Sequence, residues 1–134
     1  MEPFALNAGE GWTYRYGIDF VVKSGEMNPG RGCAFTEYVT KKGEEPPDHT
    51  HRTEDEIFYV AKGAVSFHCA GKEFELSEGG FVYLPKGIKH GYNILSDGEV
   101  RLIAITFPVI EAAGTGWGGF VADMEKDAEL VSQP

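Results

Sequence analysis

The sequence predicts an all-β fold carried by a single domain over residues 1–134, and three observations predict it. Short runs of β-branched and aromatic residues recur along the chain. Clusters of Gly, Pro, Asn and Asp separate these runs at short intervals, as turns between strands do. Three of the four histidines and one glutamate are spaced to chelate on extended backbone and not on a helix.

Taken in order, residues 1–10 form a Gly-ended lead-in that can be ordered only by docking on something else. Trp12-Thr13-Tyr14-Arg15-Tyr16 alternates aromatic and polar residues and predicts a strand, followed by a second at Ile18-Asp19-Phe20-Val21-Val22. Gly25, Asn28, Pro29 and Gly30 make 24–32 a loop. Cys33 to Thr40 reads as a strand on which Glu37 and Tyr38 point to opposite faces, with Glu37 assigned to solvent. Glu56 opens a strand running through Ala61, with Phe58 and Val60 on its side. Gly63 and Gly71 turn the chain at either end of a return strand from Ala64 to Ala70, and Glu73-Phe74-Glu75-Leu76 alternates as an edge strand does. Phe81 to Leu84 is a short apolar strand, and Pro85-Lys86-Gly87 turns His90 inward with Tyr92 and Ile94 on the same face. Ser96-Asp97-Gly98-Glu99 is a hairpin turn before a long strand from Arg101 to Phe107, which Pro108 ends.

The segment Gly114 to Gly119 satisfies G-x-G-x-x-G literally. That fingerprint binds dinucleotides only between a strand and a helix of a βαβ unit, with an acidic residue about 20 positions on. Neither condition holds, so these glycines are read as a loop carrying Trp117 and Phe120. Asp123 to Val131 is read as one short helix or a frayed tail.

Composition narrows the function classes. A chain of 134 residues, 42% hydrophobic and 13% aromatic, suits one core and no second domain. Its net charge of -9 disfavours phosphate backbones and anionic lipid, so no nucleic acid or membrane partner is expected. Met1-Glu2-Pro3-Phe4 has no basic region, and no run approaches the roughly 20 apolar residues of a membrane span, so the expected location is cytoplasmic. Cys33 and Cys69 are isolated and expected as reduced thiols packed in the core, with a disulfide between them left open.

The histidine spacing carries the chemistry. Pro46 and Pro47 remove backbone donors and push the chain toward extended conformations, so the segment is expected to enter as a strand. On a strand, His49 and His51 share a face about 6 to 7 Å apart and can close on one ion. On a helix the same spacing turns two imidazoles about 200° apart. Glu56 has the wrong parity to join them unless Arg52-Thr53-Glu54-Asp55 bends or bulges the chain. His90 would arrive from a distant strand. His68 lies outside this pattern and is read as a surface or hydrogen-bonded histidine.

Gly43, His49, His51, Glu56 and Gly63 resemble the first conserved motif of the cupins, G-x5-H-x-H-x4-E-x6-G, with every position filled. Gly79, Pro85, Gly87 and His90 resemble the second, G-x5-P-x-G-x2-H-x3-N, except that Ile94 stands at the Asn position and Asn93 one residue early. The two motifs and their link, residues 43 to 93, cover about two fifths of the chain. The resemblance implies a double-stranded β-helix, the cupin jelly-roll barrel, with residues 108–134 as a C-terminal loop, tail or short helix. It also implies one divalent transition metal held by His49, His51, Glu56 and His90, with iron favoured over manganese, nickel, zinc, cobalt or copper.

A three-His, one-Glu shell on a six-coordinate ion leaves two positions open and net positive charge for an enolate, phenolate or carboxylate. The segment from His49 through Val60 and the Pro85 turn is similar to small cupins related to flavonol dioxygenases. That likeness implies a dioxygenase acting on a small enol, phenol or diketone, with Glu56 as ligand and catalytic base. Phe58, Val60, Tyr92 and Phe107 are expected to line the substrate cavity. A metal-dependent isomerase or lyase, and a non-enzymatic module binding metal and a small ligand, are the alternatives. Cupins of this size also imply a homodimer, for which Trp12, Tyr14 and Tyr16 would supply the surface.

Overall fold

The computed structural model describes residues 3–25, 33–107 and 120–134. In chain order the elements are β1 (Trp12–Tyr16), β2 (Ile18–Ser24), β3 (Ala34–Thr40), β4 (Asp55–Lys62), β5 (Val65–Cys69), β6 (Lys72–Leu76), β7 (Phe81–Leu84), β8 (His90–Ile94), β9 (Val100–Phe107), α1 (Phe120–Asp127) and β10 (Glu129–Ser132). They make two antiparallel sheets, one of seven strands in the order β10-β1-β2-β3-β9-β4-β7 and one of three in the order β6-β5-β8. The fold is the double-stranded β-helix that the sequence implies.

Period-two alternation builds the core. On β9, Val100, Leu102, Ala104 and Thr106 point inward, and β4 contributes Glu56, Phe58 and Val60 beside them. Phe67 on β5 and Tyr92 and Ile94 on β8 close the layer from the small sheet. Each large apolar side chain so enclosed stabilises the fold by roughly 2 kcal/mol. Val121 and Met124 anchor α1 in the same core.

Two turns show why their residues are what they are. Ala70 and Gly71 both have positive φ, 54° and 75°, the requirement of the two-residue turn joining β5 and β6. Gly63, at φ 95°, also sits where a Cβ would come within 2.7 Å of Val100 and 2.9 Å of Ser96 Oγ.

Several expectations are corrected. The residues from Pro46 to Glu54 do not form a strand: His49 alone makes a bridge, to His90. The adjoining prolines have no N–H to extend that ladder. Glu129–Ser132, read as helix or tail, is a strand paired with β1; four residues, all exposed, carry too little pattern to announce themselves. Cys33 is exposed rather than packed, and neither cysteine is in a disulfide. Of Trp12, Tyr14 and Tyr16 only Tyr16 is exposed, since Tyr14 points into the core and Trp12 is half-buried. The lead-in is docked, with Lys23 Nζ donating to Asn7 O at 2.9 Å and also to Glu10 O. The loop expected at 24–32 lies outside the described residues beyond Gly25, as do Gly114 to Gly119 with Trp117. Among the described residues no helix is long and apolar enough to cross a membrane.

Candidate metal centre and its cavity

His49, His51, Glu56 and His90 converge between the two sheets, each offering a donor atom within 4.8 Å of the others. They come from three places in the chain, and local contacts bring each one in. Glu56 is the second residue of β4, and His90 opens β8. His49 is joined to His90 by a reciprocal pair of backbone bonds, N to O at 2.9 Å in each direction. The chain bends at Arg52 and Thr53, which brings Glu56 onto the histidines' side as parity demands.

The turn before His90 is stapled to the first histidine segment. Gly87 N donates to His51 O at 2.8 Å, while Asp55 Oδ1 accepts from Lys86 N at 2.8 Å and its Oδ2 from Tyr83 Oη at 2.6 Å. On the other side, Asp48 pairs with His68 Nε2 at 2.9 Å. That pair lies against Gly91, where any Cβ would collide with the Asp48 carboxylate and come within 2.8 Å of His68 Nε2. His68 is therefore a hydrogen-bonded histidine outside the cluster, and it fixes the residue next to His49.

Tautomers and charge follow from these partners. His49 Nδ1 lies 2.8 Å from Pro47 O and so carries the proton, leaving the Nε2 lone pair free to ligate. Burial, helped by the neighbouring imidazoles, lowers the His49 pKa and favours that neutral form. His51 faces two carboxylates, with Nδ1 3.1 Å from Glu54 Oε1 and Nε2 3.4 Å from Glu56 Oε1. Burial alone would lower its pKa, but Glu54 and Glu56 prevail and hold it up to about 10. Glu56 is buried too, which would raise its carboxyl, yet His51 and His90 bring it down to about 2. His90 Nε2 sits 3.1 Å from Glu56 Oε1.

These residues fit a metal. His51 Nδ1 and Nε2 are buried and approach Glu54 and Glu56 only as ion-pair contacts without hydrogen-bond geometry, and His90 Nδ1 is buried with no partner, a costly arrangement for polar atoms unless something else satisfies them. A cation about 2.1 Å from each ligand spaces the donors by about 3.0 to 4.2 Å, so a small contraction of this cluster would complete a shell.

The cluster lies at the wall of a cavity of about 620 Å³, lined by Phe20, Tyr38, Phe58, Tyr92 and Phe120 among others. Tyr38 and Tyr92, both buried, share a hydroxyl hydrogen bond of 3.0 Å. Burial pushes the Tyr92 hydroxyl up to about 12, with Glu56 adding to the rise, and Tyr38 is also pushed well above 10 by burial and by Tyr92. Both remain protonated donors near the imidazole cluster.

Of the residues expected along the cavity, Phe58 and Tyr92 line it. Val60 is fully enclosed opposite Leu102, sealed below rather than presented. Phe107 is displaced altogether: buried Thr106 points inward, so parity turns Phe107 outward against Tyr83, ring centroids 6.0 Å apart. Glu37 faces outward and pairs with Arg101 at 3.0 Å, leaving Tyr38 as the inward residue. The sequence reading did not single out Glu54, which is buried beside His51, because nothing in a polar run of four distinguishes the member that turns inward. Phe120, read as part of a loop, opens α1 instead, and Phe20 was missed because the cavity they share joins β2 to α1 across a hundred residues.

Comparison with known proteins yields a coherent set. The profile of the family described as Cupin domain matches residues 36–106, more than half of the chain. Quercetin 2,3-dioxygenase of Bacillus subtilis is 25% identical over 108 residues, covering 79% of this chain and 32% of that protein. The chain thus spans about a third of the length of the curated relative it matches. Among solved structures, KdgF from Halomonas sp. superposes with a TM-score of 0.65 at 22% identity, covering 79% of this chain and 94% of that one. An RmlC-like cupin from Shewanella frigidimarina gives 0.64 at 20% identity, with 83% and 95% covered.

Proposed function

The chain belongs to the cupin domain family, and on that premise we propose that it is a mononuclear metal-dependent dioxygenase acting on a small chelating enol, phenol or diketone. The observation that carries the reading is the convergence of three imidazoles and the Glu56 carboxylate beside an apolar cavity that also presents two phenolic hydroxyls. The relative that acts on quercetin, a phenolic chelator, supports the same substrate class.

In this proposal His49, His51, Glu56 and His90 hold one divalent transition metal, iron by preference, with manganese, nickel, zinc, cobalt and copper compatible with the same donors. When bound, the metal would supply Lewis acidity and, as iron, one-electron chemistry toward dioxygen. The chain's own residues do the rest. Phe20, Phe58 and Phe120 exclude water and pack a flat apolar ligand, in a volume within the range of about 300 to 1,000 Å³ usual for small-ligand sites. Tyr38 and Tyr92, neutral phenols joined by one hydrogen bond, leave one O–H to donate to a ligand oxygen. Glu56 serves as ligand and as acceptor of the substrate's hydroxyl proton, and its lowered pKa, set by His51 and His90, supports the ligand role. A homodimer, a cytoplasmic location, a single domain over 1–134 and the absence of nucleic acid partners complete the proposal on the charge and resemblance given above.

The test is oxygen uptake by iron-loaded protein against a panel of catechols, flavonols and β-diketones. Consumption of dioxygen stoichiometric with loss of one of these classes is the expected result. Tight ligand binding with no turnover under any loaded metal would overturn the oxygenase reading.

A further inference from the structure

We infer that Glu54 is a positioning residue that couples metal binding at His51 to docking of the C-terminal helix over the cavity. The inference rests on the metal-binding reading above. Glu54 is 2% exposed, and one of its oxygens, Oε1, serves two partners from distant parts of the chain. It accepts from the backbone N–H of Phe120, the first residue of α1, at 2.7 Å, and it lies 3.1 Å from His51 Nδ1. A buried carboxylate is costly to enclose, and these two contacts together offset that cost.

The coupling follows from what each partner needs. A metal on Nε2 of His51 leaves Nδ1 as the protonated nitrogen, and Glu54 Oε1 is the acceptor within reach of it. A carboxylate behind a ligating imidazole fixes the ring's tautomer and orientation. The same oxygen receives a backbone N–H that the helix itself cannot satisfy in its first turn, and its negative charge suits that end of the helix. Holding Glu54 in place for one partner therefore holds it for the other. Because Phe120 and Asp123 line the cavity, and the Phe120 ring packs edge-on to Phe20 at 5.3 Å, helix docking also completes the cavity wall. The metal-loaded protein is then the form with the finished binding site. By thermodynamic reciprocity, the factor by which docking strengthens metal binding is the factor by which metal strengthens docking.

The experiment measures Zn2+ affinity and amide hydrogen exchange over 120–127 in parallel, with Zn2+ as the probe throughout. In the wild type, saturating Zn2+ should slow exchange across α1. Glu54→Ala should weaken Zn2+ binding about 10- to 100-fold, with α1 exchange fast and unaffected by Zn2+. Glu54→Gln keeps an acceptor oxygen and should restore both properties to near wild type, whereas Glu54→Met, similar in volume but without an oxygen acceptor, should behave as Glu54→Ala does, a difference that mere space-filling would not produce. The coupling is also read from the other end. Phe120→Ala removes the ring but keeps the N–H, whereas Phe120→Pro removes both at a position where a helix tolerates proline. Phe120→Pro should bind Zn2+ several-fold more weakly than Phe120→Ala, and this pair decides the matter if Glu54→Ala fails to fold. Equal Zn2+ affinity in both Phe120 variants, wild-type affinity in Glu54→Ala, or α1 exchange indifferent to Zn2+ in the wild type would each overturn the coupling while leaving the metal site intact. A wild-type protein that takes up no Zn2+ would overturn the metal reading and the coupling with it.

Discussion

Raising the pH on metal-free protein should destabilise it, and His51 is the reason. Glu54 and Glu56 hold its imidazolium up to about 10 against the opposing effect of burial, whereas an unfolded chain releases that proton near 6.5. Between those values the folded state carries a proton that the unfolded state has lost. The stabilisation is complete below pH 6.5 and is lost as pH rises toward 10. At about 1.36 kcal/mol per unit, moving from pH 7 to pH 9 removes at most about 3 kcal/mol, or roughly 10 °C of Tm for a chain of this length. Glu56 governs the acid side: its carboxyl is lowered from 4.5 to about 2, so its contribution is present above pH 4.5 and disappears as pH falls through 2. Both arms report one ion pair, so their energies are not added.

Thermal melts of chelator-treated wild type and His51→Gln from pH 6 to 10 measure the effect: the wild-type Tm should fall as pH rises while that of the variant changes much less. Zn2+ takes the place of the His51 proton, so loading at pH 8 in weak buffer should release about one proton per ion. Parallel pH profiles for the two proteins, together with no proton release, would refute the assignment of that proton to His51.

His90→Ala should abolish stoichiometric Zn2+ uptake while leaving the β-type circular dichroism unchanged, because the core around Phe67, Leu102 and Val60 is apolar and closed without metal; loss of the β signal would show that the metal holds the fold. Gly91→Ala should cost about 1 to 3 kcal/mol in denaturant unfolding and weaken Zn2+ binding, since its methyl group displaces Asp48 and with it the backbone at His49; unchanged affinity would mean that the Asp48–His68 pair does not position the ligand. Tyr38→Phe should cost about 1 to 2 kcal/mol by stripping the buried Tyr92 hydroxyl of its partner, and a neutral result would show that Tyr92 has another.

Much of the fold was legible because alternation is a local property. The strands at Trp12–Tyr16, Phe81–Leu84 and Val100–Phe107 follow from residues whose neighbours in sequence set the inward face. The candidate metal cluster was legible for a different reason: the spacing of His49 and His51 and the wrong parity of Glu56 called for a bend, which lies at Arg52 and Thr53, and the motif resemblance supplied His90. What the sequence withheld depends on long-range partners. Glu129–Ser132 is a strand only because β1 offers it an edge, and Glu54 turns inward to a partner, the Phe120 N–H, that arrives from 66 residues away. Phe107 misled because a nearly continuous apolar run hides which residues point inward, and buried Thr106 was the inward one despite its hydroxyl.

The most direct test is an anomalous difference map from crystals of the protein loaded with one equivalent of zinc or cobalt. A single peak about 2.0 to 2.2 Å from one nitrogen each of His49, His51 and His90 and one oxygen of Glu56 is the expected result. A peak elsewhere on the surface, or none at the cluster with the metal present in solution, would contradict it.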